Sequence, residues 1–434
     1  MIDRSSKGTA FIQWLDELPA DWNSVRLRNL LSDMLAGNWG EAPGESDVDL
    51  FCARIADFDW SHLEIVDENI RTVRSYKRVL VNRFALEPGD LLVEKSGGGE
   101  KHPVGRCVQY RGEGGAIFSN FAMRLRPNGV VSSEFLCYAL AASYFRGHSW
   151  KILNQTTGIQ NLDVSAFRSS PIPLPKREEQ QRIINHLDQK TAEIDTLVEK
   201  LSRQVELLER YRRELIAHTV TRGLDPDAPM RDSGIDWIGE VPTTWRLLKI
   251  SALYDSRSQK VSDKDYPPLS ITMNGVVPQL ETVAKTNDGD SRKLVRTGDF
   301  VINSRSDRRG ACGIAPQDGS CSLINIVLTP RESVHNRYFS YLFRSILFAD
   351  EFYRWGHGIH DDLWTTNWKD MKSIQVPVPH LEDQEAMDNY LDHKMAEINS
   401  IVAGINKQIE LFRRYRKQVI DSLVTGKVRV GGVA

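Results

Sequence analysis

The chain has 434 residues, 41% of them hydrophobic and 26% charged, with a formal net charge of −2. No apolar run reaches the roughly 20 residues that span a bilayer, which excludes a membrane partner, and the opening MIDRSSKGTA lacks an apolar signal core, so a cytoplasmic location is expected. The five cysteines (Cys52, Cys107, Cys137, Cys312 and Cys321) are odd in number and lack C-x-x-C spacing, which argues against a disulfide scaffold or a zinc site.

Residues 1–172 read as a mixed α/β domain. Asp90–Val93 is a short apolar run bounded by turn residues and predicts a strand. Phe135–Ala142 predicts a helix. Arg71, Arg74, Lys77, Arg78 and Arg83 form a basic cluster, and Glu94–His102 (EKSGGGEKH) reads as a polar, glycine-rich loop after the strand. Residues 173–222 open with spaced prolines and acidic residues and then run without Pro or Gly, which predicts one long helix. Residues 223–236 (GLDPDAPMRDSGID) read as a linker. Residues 237–376 predict a second mixed α/β domain, with strands at Phe300–Ile302 and Ile324–Leu328 and a helix over Tyr338–Phe348. Its basic cluster is Arg292, Lys293, Arg296, Arg305, Arg308 and Arg309, in part on the loop Ser304–Gly310. Residues 377–434 predict a second long helix.

The two helical segments are copies. PLPKREEQQ at Pro173 returns as PVPHLEDQE at Pro377, and the match continues without a gap to Thr221 and Thr425. A repeat of this length means two copies of one structural unit. The domains repeat more faintly. Trp14–Trp22 (WLDELPADW) matches Trp237–Trp245 (WIGEVPTTW), Gly89-Asp90 matches Gly298-Asp299, and Gly158-Ile159 matches Gly358-Ile359. The stretches between these landmarks barely agree. A catalyst would repeat its chemical residues; two readers with different targets would repeat only their scaffold.

A heptad frame fits both helices. Position a holds Ile194, Leu201, Leu208 and Leu215, then Ile398, Ile405, Phe412 and Val419. Position d holds Leu197, Gln204 and Tyr211, then Ile401, Gln408 and Tyr415. This spacing makes a seam for a partner helix and predicts a coiled coil, which with the two mixed α/β domains gives an α+β fold. At the shared d position Gln204 and Gln408 either fix register across the seam or reach solvent at its edge.

Motifs for chemistry are missing. Gly97–Gly105 fails the order of a phosphate loop. The Asp90, Glu94 and Lys95 set does not repeat at Asp299, Asn303 and Ser304, so Asp90 and Asp299 are expected to cap turns. His357, His360, Asp361 and Asp362 align with Thr157, Gln160, Asn161 and Leu162, which favours a polar loop over a metal site. There is no [ND]-P-P-[FYW] tetrad and no G-x-G-x-x-G turn, so no catalytic residue and no bound cofactor are expected. Lys95, Ser96, Lys101, His102, Arg74 and Lys77 in the first domain, and Arg305, Ser306, Arg308 and Arg309 in the second, are the candidate DNA contacts, because such donors suit phosphates and base edges. No clustered aromatic platform stands near them in sequence, which disfavours single-stranded RNA.

The W-x-x-E-[LV]-P-x-x-W openings, the G-D strands, the G-I loops and the P-x-P-x-x-E-x-Q helix starts at Pro173 and Pro377 together resemble the specificity subunits of type I restriction–modification enzymes. The resemblance covers nearly the whole chain. It implies two target-recognition domains, each reading half of a split double-stranded DNA site, and an antiparallel coiled coil of the two long helices that sets the spacer, in a pseudo-twofold circular repeat. It implies docking of two methyltransferase (modification) subunits, which bind S-adenosylmethionine and methylate adenine, and of restriction motor subunits in the full complex. It implies no catalysis in this chain. Ala386 stands where the first copy has Arg182, which suggests a different partner contact there. A non-catalytic scaffold that binds only protein is the competing reading.

Overall fold

The computed structural model of the chain describes residue 15 and residues 18–156, 159–279, 289–305, 308–332, 334–358 and 364–431. It divides into two units, one of residues 1–201 with 407–434, the other of residues 202–406. The unit boundary falls inside both long helices, Arg177–Arg222 and Leu381–Val424. Each unit therefore contains one α/β body, the first part of one long helix and the last part of the other.

In the first unit, Leu31–Ala36, Ala122–Pro127, Leu91–Glu94, Cys107–Tyr110 and Glu64–Ile65 form a sheet in that order. Helix Ser133–Phe145 packs on it, with Phe135, Leu136, Ala139 and Ala142 buried. The second unit repeats the arrangement with Tyr254–Arg257, Asn325–Pro330, Phe300–Asn303 and Cys312–Ile314. The helix expected over Tyr338–Phe348 is two helices, Asn336–Arg344 and Ile346–Arg354. The break lies at Ser345, whose extended backbone lets its hydroxyl accept from the Phe348 N–H and start the second helix.

The proline lead-ins are strands. Pro171–Leu174 pairs antiparallel with Asn23–Arg26, and Gln375–Val378 with Arg246–Lys249. Each is half of a two-stranded sheet, where a missing N–H is tolerated. The segment expected as a linker also pairs, because Met230–Asp232 forms a hairpin with Glu240–Pro242.

The recurring glutamine of the helix start has a definite task. Gln180 Nε2 donates to Pro175 O (3.0 Å), and its Oε1 accepts from Ser132 N (2.9 Å), the cap of helix Ser133–Phe145. Gln384 donates to Pro379 O (3.0 Å) and accepts from His335 N (3.1 Å), the cap of helix Asn336–Arg344. Both glutamines are buried, so one amide in each unit ties the long helix to the domain helix. Tyr138 to Asp188 (2.7 Å) and Tyr341 to Asp392 (2.6 Å) form a second matched tie.

The end of each long helix closes the body of the unit in which it ends. Ile420, Leu423 and Val424 of the second long helix enter the first unit's core. Val220 of the first long helix enters the second unit's core. Each helix stops at a left-handed glycine, Gly223 (φ 81°) or Gly426 (φ 73°), and these lie against Trp245 and Trp22. The second tryptophan of each W-x-x-E-[LV]-P-x-x-W motif is thus the lid on a helix C-terminus. Trp14 lies outside the described residues.

Within each unit the helix segments run antiparallel. In the first, Glu179 meets Arg429 just past the second helix (2.9 Å), and Asp195 meets Arg416 (3.1 Å). In the second, Arg212 donates to Asn399 (2.6 Å), while Val220 shares a core with Met387 and Leu391. Arg212 and Arg416 are repeat equivalents, as are Asp195 and Asn399.

The expected seam is half right. Ile194 and Ile398 are buried, and Leu201, Leu208, Leu215, Ile405, Phe412 and Val419 are partly buried. Leu197, Gln204, Tyr211, Ile401, Gln408 and Tyr415 are exposed. The second seam line is one residue on, at Val198, Val205 and Arg212 and at Val402, Ile409 and Arg416. At about 100° per residue, positions three and four beyond a lie on opposite flanks of it, and the fold turned the fourth inward. The two glutamines reach solvent and do not define the seam.

Exchanging Gln384 for Met should destabilise the second unit by about 2–4 kcal/mol, because it strands the His335 N–H and the Pro379 carbonyl; denaturant unfolding measures this. A second expectation concerns pH. Burial pulls His148 down from 6.5 to about 4, with its ring beside Ser170 Oγ at 3.1 Å. The folded form holds a neutral ring, and the unfolded chain takes up a proton first as pH falls. This contribution is complete above about pH 6.5 and shrinks toward pH 4. A His148→Gln variant should show a pH slope of unfolding shallower by up to one proton across that interval.

Candidate nucleic-acid interface

In both units the Gly-Asp turn feeds the strand that presents the candidate loop. Gly89 (φ 92°) and Gly298 (φ 85°) supply a backbone that other residues rarely adopt. Asp90 accepts from Glu87 N (2.8 Å) and from Arg126 Nε (2.7 Å) and Nη2 (2.8 Å). Asp299 accepts from Arg296 N (2.8 Å) and from Arg257 Nε (2.7 Å). These buried carboxylates lock the turn, in keeping with the expected capping role.

The strand ends then differ. In the first unit Glu94 is buried and paired with Arg106 (2.9 Å), whose guanidinium stacks 3.7 Å from the Trp60 ring. Lys95 is half-buried. Ser96 donates to Asn161 Oδ1 (2.6 Å) across the small sheet of Ser96–Gly97, Ile159–Leu162 and Leu153–Thr156. That bond turns the Asn161 amide NH₂ away from the serine. Lys101 and His102 are exposed at the loop tip, where Gly99 N bonds His102 O (3.0 Å).

Arg74 and Lys77 belong to another part of this unit, in and just after strand Val73–Tyr76. Arg74 binds the carbonyls of Trp39 (3.1 Å) and Gly40 (3.2 Å) and lies 4.9 Å from the Trp39 ring. Lys77 is exposed. One groove joins the two regions, lined by Trp39, Arg54, Ser96, Ser119, Asn120 and Phe121. Ser119 Oγ is buried there with no hydrogen-bond partner. Trp39, Asn120 and Phe121 were missed from sequence because they are far from the basic cluster along the chain and only the fold gathers them.

In the second unit Arg305, Arg308 and Arg309 are exposed beyond strand Phe300–Asn303. Asn303 Oδ1 accepts from Arg305 N (3.0 Å). Arg309 stacks 3.7 Å from the Tyr353 ring and lies 3.4 Å from Asp350. Tyr353 and Trp364 line a small cavity with Arg305 and Arg309. An aromatic ring therefore stands beside a cation in each unit, Trp39 by Arg74 and Tyr353 by Arg309. Ser306, Ile359, His360, Asp361 and Asp362 lie outside the described residues, as does Gly158. The upstream part of the basic cluster is structural. Arg292 is buried on Ser320, Arg296 pairs with Asp318, and Lys293 donates to Asn325 O (2.6 Å) with its ammonium pKa lowered by burial.

Among the described residues no group of three His, Cys, Asp or Glu side chains could hold a metal ion, and no helix is long and apolar enough to cross a membrane.

Residues 81–207 match the family described as type I restriction modification DNA specificity domain. A putative type I restriction enzyme MjaX specificity subunit of Methanocaldococcus jannaschii is 22% identical over 429 residues, 96% of both chains. The chain is related to type I restriction–modification specificity subunits. The MjaVIII specificity subunit of the same organism is 23% identical over 74% of this chain and 76% of its own. Among solved structures, a chain from work on complex assembly and conformational transition of the type I R-M system superposes with a TM-score of 0.69 at 16% identity, covering 95% of this chain and all of that one. The HsdS subunit from Thermoanaerobacter tengcongensis gives 0.53 at 16% identity, covering 95% and 98%. The specificity-subunit likeness thus extends over both units.

Substituting Lys101 or His102 by Ala should leave thermal stability unchanged, since both are exposed. Substituting Glu94 by Ala should lower it by about 2–4 kcal/mol, because the Arg106 guanidinium loses its buried partner. Thermal unfolding separates the loop from its foundation.

Proposed function

We propose that this chain is the DNA-recognition subunit of a type I restriction–modification enzyme. Each unit reads one half of a bipartite duplex target. The paired helices hold the two readers at a set spacing and dock two modification subunits, which carry S-adenosylmethionine and methylate adenine. Restriction motor subunits join the same assembly. The chain itself supplies no catalytic group and binds no cofactor, and it works in the cytoplasm.

The observation that carries this reading is the contrast between scaffold and loops. Asp90 and Asp299, Gln180 and Gln384, and Tyr138 and Tyr341 make the same bonds in both units. The loops on the equivalent strands are Lys95–His102 in one unit and Ser304–Gly310 in the other, and they share no pattern. Equivalent platforms with unlike donors suit two different base sequences. Arginine and lysine supply salt-dependent phosphate binding, while Ser, Asn and Arg side chains select base edges. Half-sites presented on one face of the duplex are separated by about one turn, roughly 34 Å.

Reconstitution with its modification partner tests this. Parent complex should methylate duplex DNA at a split sequence, with affinity falling steeply in salt. Combined Arg305→Ala and Arg308→Ala should reduce methylation by at least about 10-fold, as expected for lost base or phosphate contacts worth roughly 1–3 kcal/mol, while the unfolding temperature is kept. Unaltered rate and target choice in that variant would refute the assignment of the second unit's loop.

A further inference from the structure

Two tight turns stand at the same place in the two units and carry side chains that turns seldom expose. Ala122 pairs with Glu94 and Asn325 with Asn303, so the residues just before these two strands are register equivalents. Ala122 N donates to Ser119 O (2.9 Å), and Asn325 N to Ser322 O (3.0 Å). The turns are therefore Ser119-Asn120-Phe121-Ala122 and Ser322-Leu323-Ile324-Asn325. Both begin with serine, yet the central residues are Asn-Phe in one and Leu-Ile in the other. Turns favour Gly, Pro, Asn, Asp and Ser. Instead, Phe121 is 45% exposed, Leu323 43% and Ile324 38%.

Each turn is bonded to the foot of a candidate DNA loop. Phe121 O accepts from Lys95 N (2.8 Å) and Ser96 N (3.1 Å). Ile324 O accepts from Ser304 Oγ, and the next residue along that loop is Arg305. In the first unit Phe121 also lines the groove that holds Trp39, Arg54 and Ser96. The four residues of each turn carry no charge, while cations stand on the loop beside them. An uncharged apolar tip flanked by cations matches a duplex, whose charge lies on the phosphates and whose base edges are neutral. The apolar group on those edges is the 5-methyl of thymine, in the major groove. Wedging between base steps is the other apolar mode, and it inserts a whole side chain. Phe121 and Ile324 are more than half covered by their own unit and offer only a cap.

We propose that these turns read thymine: Phe121 in the first unit, and Leu323 with Ile324 in the second, cover the 5-methyl group of a thymine in the half-site that each unit reads. The inference rests on the proposed function for the duplex itself. It adds an apolar selection to the polar contacts of the loops, which reach phosphates and hydrogen-bonding base edges but have no means of sensing a methyl group. The scaffold of the turn is shared, a serine carbonyl closing on the first strand residue, and only the tip differs. Unlike tips on one scaffold suit different surroundings of the thymine in the two half-sites.

The test uses the full chain reconstituted with its modification subunit and a duplex carrying the target mapped by methylome sequencing. Thymines are replaced one at a time by uracil, which pairs identically and lacks only the methyl group. In the parent complex, uracil at one position in each half-site should weaken binding about 4-fold, the worth of one buried methyl. Phe121→Ala should erase that penalty in one half-site and leave it in the other. Combined Leu323→Ala and Ile324→Ala should do the reverse, and Phe121→Leu should keep both penalties. Penalties that are absent in the parent, or equal in parent and alanine variants, would overturn the inference; methylation of the split target would still uphold the proposed function. Release of the modification subunit by an alanine variant would also overturn it, since the turns would then face protein. So would 2-aminopurine fluorescence beside the target that rises with the parent and not with the variants, the signature of a wedge. A parent complex that methylates no duplex would overturn the proposed function and the inference with it.

Discussion

Neither half of this sequence can complete its own core. The first unit needs Ile420, Leu423 and Val424, which arrive from the far end of the chain, and Gly426 must stop that helix under Trp22. The second unit needs Val220 and the Gly223 stop under Trp245 from the helix that precedes it. Burying such side chains contributes about 1.5–3 kcal/mol each. The long helices are therefore structural members of both bodies, which is why their sequences are held while the loops drift.

The repeat explains what was legible from sequence. Two copies of a 40-odd-residue helix, announced by prolines and acids, leave little freedom in helix position or direction. The Gly-Asp strands were equally clear, because a buried aspartate and a left-handed glycine are local requirements. Heptad phase was not legible. Leu197 and Val198 are both apolar, and only the facing helix decides which turns inward. The same holds at Tyr211 and Arg212, where the sequence favours the tyrosine and the fold buries much of the arginine because Asn399 is there to receive it. The break at Ser345 was hidden by continuous apolar periodicity on either side.

The candidate interface was legible only as chemistry, and its arrangement came from the fold. The loops were found because they follow an obvious strand. Trp39, Tyr353 and Trp364 were not found, because a stacking partner for Arg74 or Arg309 need not be near it in sequence. Half of the second basic cluster is already engaged within the fold: Arg292 is buried on Ser320, Lys293 donates to Asn325 O, and Arg296 is tied to Asp318. Counting cations along a chain overstates a binding face whenever some of them answer acceptors within the same domain.

The seam arginines complete the logic. Arg416 and Arg212 sit where a leucine would pack better, and a polar residue in a helical seam weakens the pairing while specifying its register. A slip of one heptad in either direction takes both guanidiniums away from Asp195 and Asn399. The pairs are not equal, however. Arg416 with Asp195 is charge-assisted, and Asp195 is also approached by His62 from the reading body. Arg212 with Asn399 joins a cation to a neutral amide. Register is thus fixed twice by residues at equivalent positions, more strongly in the unit where the same carboxylate also faces the body.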